Sequence, residues 1–179
     1  MRGWMWALVL MACESAPAAV SGPVVPTGPK CSQQMDCTTE QVCAQAVCQP
    51  LFPHDWKLTL QKAEFQEYAD DGNGWDDCPA GGKDKGCPPD GQARVYLDGK
   101  LVCDTGITAD SYAPAWNKTC TVRIDHQSKL QIKLTEHDDA VDAVASDWNA
   151  TGAAMASELR NRSLKTDGQN PVFVAFEPL

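Results

Sequence analysis

Three phrases decide the fold: PDGQARVYL at residues 89–97, PAWNKT at 114–119 and LQIKLTEHDD at 130–139. In the first, Ala93, Val95 and Leu97 alternate with Arg94 and Tyr96. In the third, Leu130, Ile132 and Leu134 alternate with Gln131 and Lys133. Successive strand side chains point to opposite faces, so one apolar row of period two means a strand lying on a core. The second phrase runs into Cys120, Val122 and Ile124, which alternate with Thr121 and Arg123. Working outward, KLTL at 57–60 opens the same pattern and PVFVAF at 171–176 closes it. Asp98-Gly99 is a hairpin signal and Asp167-Gly168 a turn signal. Several short strands punctuated in this way predict an antiparallel β-sandwich. A short helix is expected over 151–161.

The chain has 179 residues, room for one domain of about 120 residues plus appendages. Its net charge is −9. Nucleic-acid binding needs a basic patch to displace phosphate counterions, and none is present, so that class is excluded. The acids fall in two runs: Asp70, Asp71, Asp76, Asp77, Asp84 and Asp90, then Glu136, Asp138, Asp139, Asp142 and Asp147. There is no nucleophile elbow, phosphate loop, HExxH helix or EF-hand loop, and a non-enzymatic role is expected. His54, His126 and His137 show no triad or metal spacing. Asn117, Asn149 and Asn161 each begin an N-x-S/T triplet.

Nine cysteines are too many for an ordinary cytosolic protein. The N-terminus accounts for one. After Met1-Arg2, the apolar run WMWALVLMA at 4–12 is too short to span a bilayer, which takes about 20 residues, but it suits a signal-peptide core. It ends in Leu10-Met11-Ala12-Cys13, which resembles a bacterial lipobox and implies cleavage before a lipid-modified Cys13, with residues 1–13 as the signal. The alternative is plain secretion after Ala18 or Ala19. Both readings imply export, in the first case to a bacterial cell envelope as an outer-membrane lipoprotein. Residues 14–30, rich in Pro, Ala and Gly, read as a flexible tether reaching roughly 50 Å when extended.

Cys31, Cys37, Cys43 and Cys48 mark a small disulfide-rich module over 31–50. It has too few large apolar residues for a core of its own. Zinc would call for CxxC-like pairs, which are absent. Four cysteines allow three pairings, and spacing does not choose among them. The module is expected to act as a stiff collar between the tether and the domain over 55–179.

In order and spacing, the three opening phrases resemble the C2 domain, a β-sandwich family whose loops often bind calcium. The resemblance implies an all-β, eight-stranded antiparallel C2-like sandwich. It implies a first acidic loop ending at Asp90, with Asp76 as an earlier ligand, and a further loop carrying Glu136, Asp138 and Asp142. Calcium is a hard ion taking about six to eight oxygens, so carboxylates must converge on it from separate loops. Glu136 departs from the usual Asp and carries its carboxylate about 1.5 Å further out. In this fold, bridges Cys78–Cys87 and Cys103–Cys120 are expected. Trp116 is expected in the core, while Trp75 and Trp148 border the acidic loops as core residues or partner-facing tips. The implied function is a monomeric binding module, lipid-anchored at Cys13. Calcium at its loop end would engage a membrane or, outside the cytosol, a protein or envelope partner. The alternative is a calcium-independent structural or adhesion lipoprotein.

Overall fold

The computed structural model describes residues 27–69, 72, 74–75, 87–137 and 142–179. The first strands, β1 (Gln41–Ala44) and β2 (Val47–Pro50), form a separate antiparallel ribbon. Then come β3 (His54–Ala63), β4 (Gly91–Leu97), β5 (Lys100–Asp104), β6 (Ala115–Ile124), β7 (Lys129–Glu136) and β8 (Ala143–Thr151). A 3₁₀ turn at Ala153–Met155 leads into α1 (Ala156–Asn161), followed by β9 (Ser163–Lys165) and β10 (Val172–Pro178). Eight strands make two four-stranded sheets, in the orders β6-β3-β10-β9 and β5-β4-β7-β8. All registered pairs are antiparallel, and the fold is the expected sandwich. The expected helix forms within 151–161 as the 3₁₀ turn and α1.

Alternation sets the core. Trp56, Leu58 and Leu60 of β3 are fully enclosed, and they face Ala93 and Val95, Leu130, Ile132 and Leu134, and Val172, Val174 and Phe176. The Trp56 and Phe176 rings meet edge to face at 6.3 Å, an arrangement favoured by the ring quadrupoles. The inward row of β3 changes phase between Leu60 and Ala63, where its pairing with β6 slips by one residue. A bulge of this kind moves the next side chains to the other face. Asn117, opposite this slip, is left-handed at φ +52. At the β4–β5 hairpin, Asp98 (φ +52) and Gly99 (φ +79) supply the two positive φ values of a type I′ turn.

Antiparallel order sorts the connections into two poles. The described residues of the β3–β4, β5–β6, β7–β8 and β9–β10 connections lie at the upper pole. The Asp98-Gly99 hairpin, the β6–β7 turn and α1 lie at the lower pole. Cys103 on β5 and Cys120 on β6 are bridged, with Cα atoms 5.8 Å apart. These strands are the edges of different sheets, so the bond closes one flank of the sandwich. Of the other expected bridge, Cys78 lies outside the described residues, and Cys87 is itself disulfide-bonded.

The N-terminal module pairs Cys31 with Cys43 and Cys37 with Cys48, at Cα separations of 5.9 and 5.5 Å. The sulfurs of Cys31, Cys37 and Cys43 lie within 4.8 Å of one another because the two bridges stack. The module is more than a collar, because it is seated on the sandwich. Val42 (0 % exposed) and Leu51 (2 %) belong to the main core. The Arg162 guanidinium donates to the Cys43 carbonyl at 2.7 Å. Phe52 stacks at 4.5 Å on His126 of the β6–β7 turn. The bridges fix the ribbon's backbone but leave its two large apolar side chains needing cover, and the lower end of the sandwich provides it.

Replacing Cys103 and Cys120 with alanine removes a cross-link spanning 17 residues. Denaturant titration should show a stability loss of about 3 kcal/mol. Leu51→Ala should cost roughly 2–5 kcal/mol. Because Leu51 shares the core with Trp56, near-UV circular dichroism should report the loss across one cooperative transition; a separate early melting of the ribbon would contradict this seating.

Candidate functional site

The β4–β7 register builds the upper pole. Gly91 pairs with Glu136, Gln92 with Thr135 and Ala93 with Leu134. Beyond the last pair, the Asp90 carbonyl accepts the His137 N–H at 3.0 Å. Asp90 and the acidic end of β7 therefore meet. The β5–β6 connection is laced to the same point. Gly91 and Thr108 exchange two backbone bonds of 2.9 Å, and the Ser111 N–H donates to the Pro89 carbonyl at 3.0 Å. The Asp110 N–H donates to Asp90 Oδ1 at 2.8 Å. Asp110 has φ +54, a conformation that Asp tolerates better than most residues.

Phase explains the burial of Glu136. It continues the inward row Leu130, Ile132, Leu134 and is 0 % exposed. Enclosing a carboxylate is costly unless a cation or hydrogen-bond donors meet it. Asp142, just before β8, stays exposed, and its Oδ1 lies 2.5 Å from His137 Nδ1. Asp147 is elsewhere: midway along β8, it takes Gln131 Nε2 at 2.8 Å and Lys133 Nζ at 3.8 Å. Asp76 and Asp138 lie outside the described residues. The carboxylates at the pole and the backbone carbonyl of Asp90 are hard oxygen donors, the chemistry that suits calcium or magnesium. Backbone pairing brings Asp90, Glu136 and Asp142 to this pole, but among the described residues their side-chain oxygens do not gather within 4.8 Å of one another.

Below the pole is an aromatic floor. Trp75 is 8 % exposed, donates its indole N–H to the Gln66 carbonyl at 2.8 Å, and meets Phe65 edge to face at 5.3 Å. Trp75 is thus a packing residue, not a partner-facing tip. Trp148 sits along β8, half-buried against the core, and Trp116 likewise packs against the core. Gly91 lies over the Phe65 ring. A Cβ there would come within 2.8 Å of Phe65 Cε2 and 3.1 Å of Pro114 Cγ.

Beside the pole, on the outer face, Gln92 Nε2 and the Gly106 N–H donate to Asp104 Oδ1 at 2.7 and 2.8 Å. Arg94 reaches Asp104 Oδ2 at 3.4 Å and Gln92 Oε1 at 2.6 Å. Partial burial pushes the Asp104 carboxyl up, but the bonds from Gly106, Gln92 and Arg94 outweigh it and leave the group below the usual carboxylate range. The network ties β4 to β5 and orients the β5–β6 connection. Gln92, Arg94 and Asp104 lie opposite the inward rows of their strands, where polar residues are ordinary, which is why no sequence signal marks them, although Gln92 is only 6 % exposed.

No family model matches the chain, and no curated protein matches it. Among solved structures it is similar to the calcium-bound tandem C2 domains of extended synaptotagmin 2, with TM-score 0.54, 13 % identity, and coverage of 71 % of this chain and 46 % of that one. It is also similar to human GIVD cytosolic phospholipase A2, with TM-score 0.51, 15 % identity, and coverage of 70 % of this chain and 17 % of that one. The chain thus spans less than half the length of these structures. At such identities the likeness concerns the fold, which is that of a C2-type β-sandwich.

Gly91→Ala should cost about 1–3 kcal/mol in urea denaturation, because the added methyl must displace the Phe65 ring. The Trp75 emission maximum should shift with it; an unchanged spectrum and midpoint would show that the pole has room to spare.

Proposed function

We propose that this chain is an exported, lipid-anchored, non-enzymatic C2-like module. It binds calcium at its upper pole and, through the calcium-ordered loops, a membrane or protein partner. The observation that carries the reading is the Gly91–Glu136 register, with the Asp90 carbonyl accepting the His137 N–H. It brings a half-buried Asp90 and a fully enclosed Glu136 to one end of the sandwich, where exposed Asp142 leads into β8. Asp138 and Asp76 complete the proposed ligand set of Asp76, Asp90, Glu136, Asp138 and Asp142. Like charges gathered at one pole repel each other, and a divalent cation turns that repulsion into attraction. Calcium thus supplies the positive charge, while the chain's own residues supply the cage and its orientation. Cys13 is the proposed lipidation site. The bridges of the N-terminal module and Cys103–Cys120 fit an oxidising compartment, in keeping with a bacterial cell envelope.

Since the ion binds only the folded form, millimolar calcium should raise the melting midpoint over that in EDTA by about 5–10 °C at a hundredfold excess over Kd. Asp90→Asn and Asp138→Asn should each remove most of that rise while leaving the EDTA midpoint nearly unchanged. Identical midpoints in calcium and EDTA would sink the calcium reading and leave a structural or adhesion lipoprotein.

A further inference from the structure

Each sheet of the sandwich ends in two edge strands, β6 and β9 in one and β5 and β8 in the other. An edge strand presents unpaired N–H and C=O groups along one side and invites a further strand to add. Cys103–Cys120 ties β5 to β6 and closes that flank covalently. The opposite flank, bounded by β8 and β9, has no such bond among the described residues. β9 has 3 residues and offers little main chain. β8 offers more. It runs for 9 residues, Ala143–Thr151, and Asp147 is its one charged side chain. Val144 on it is 59 % exposed. Near its upper end Asn170 Nδ2 donates to the Ala145 carbonyl at 3.1 Å. From Ser146 onward, no hydrogen bond between described residues reaches the β8 backbone from outside β7.

The N-x-S/T triplets fall on these same edges. Asn117-Lys118-Thr119 lies in β6, Asn149-Ala150-Thr151 in β8, and Asn161-Arg162-Ser163 runs into β9. The inner strands β3, β4, β7 and β10 carry none. In each triplet both the asparagine and the hydroxyl residue are exposed. An N-glycan acceptor needs an amide that a transferase can reach and a hydroxyl two residues on.

Local geometry separates the three. Asn117 is left-handed at φ +52, beside the slip between β3 and β6. Asn161 ends α1 just before Arg162, which is left-handed at φ +59. Asn149 lies within the strand, where residues two apart share a face. Asp147, Asn149 and Thr151 therefore form one exposed row. Asn149 Nδ2 donates to Asp147 Oδ1 at 3.0 Å. A side-chain amide nitrogen carries two hydrogens, so that bond can persist when the other hydrogen is replaced.

We propose that Asn149 is an N-glycan acceptor. This rests on the export reading above, since the sugar donor is a lipid-linked oligosaccharide met at the exporting membrane. In the transfer, Asn149 Nδ2 bonds to the anomeric carbon of the oligosaccharide. The bond from that carbon to the pyrophosphate oxygen breaks, the lipid pyrophosphate leaves with the electron pair, and the amide gives up one proton. Nothing is oxidised or reduced. The glycan then stands beside the unpaired main chain of β8 and bars a second strand from it.

The test recovers the chain from the cells that produce it and measures the mass of its peptides. The peptide holding Asn149 should be heavier by a glycan. That added mass should be lost in Asn149→Gln and in Thr151→Ala but retained in Thr151→Ser, which keeps the hydroxyl. The melting midpoint of each variant checks that it is folded. A bare Asn149 in a chain with Cys103–Cys120 formed would overturn the inference and leave export standing. Added mass that survives Thr151→Ala would overturn it too, because a transfer that ignores the hydroxyl is a different modification. A bare Asn149 in a chain whose Cys103 and Cys120 are free thiols would strike the export reading, and this inference with it.

Discussion

The phase of one strand governs this molecule. Leu130, Ile132 and Leu134 must face inward to fill the core, and strand geometry then leaves Glu136 no outward choice. Slipping β7 by one residue would free the carboxylate but turn three apolar side chains to water. Burying each such side chain is worth about 1.5–3 kcal/mol, so the apolar row wins and the acid goes where the row sends it. Because β4 pairs with β7 from Leu97–Leu130 up to Gly91–Glu136, the same row delivers Asp90 to the same place. An acidic pole is therefore a consequence of core packing before it is anything else.

The rest of the architecture holds that pole at a defined distance from the chain's N-terminal side. The sandwich closes one flank covalently, through Cys103 and Cys120 on the edge strands of its two sheets. At the far end the disulfide-rich ribbon lends Val42 and Leu51 to the common core. A ribbon of this size could not bury them alone. In exchange the sandwich gains a cap, and the direction in which the N-terminal segment leaves is settled. Rigidity at the lower end and acidity at the upper end are parts of one axial arrangement, and the similarity to calcium-bound C2 domains concerns the fold on which it is built.

Much of this was legible in the residues. Alternation at 93–97, 120–124 and 130–134 marked strands because each has one buried face, and Asp98-Gly99 marked its hairpin because few other pairs accept two positive φ values. Asp90 and Glu136 were expected in neighbouring loops from resemblance, and pairing places Gly91, next to Asp90, opposite Glu136. Other features left no local trace. Gln45 and Ala46 turn the first ribbon with φ +51 and +62, against their intrinsic preference, because the two disulfides constrain the hairpin from both sides. Trp75 sits among acids and glycines in sequence, yet it packs inward on Phe65. An indole finds cover wherever a long connection folds back on its own sheet.

By itself, then, the sequence determined the strands, the sandwich, the two acidic runs and the cysteine content, since these depend on residue type and short-range period. Only the tertiary structure decided which cysteines of the N-terminal module join, that this module shares the main core, that Glu136 is sealed while Asp142 is not, and that Lys30 and Leu179 lie at the pole opposite Asp90 and Glu136. Each of these depends on contacts between segments far apart in the chain. Local propensity carries no information about such contacts, and a common core must form before any of them exists.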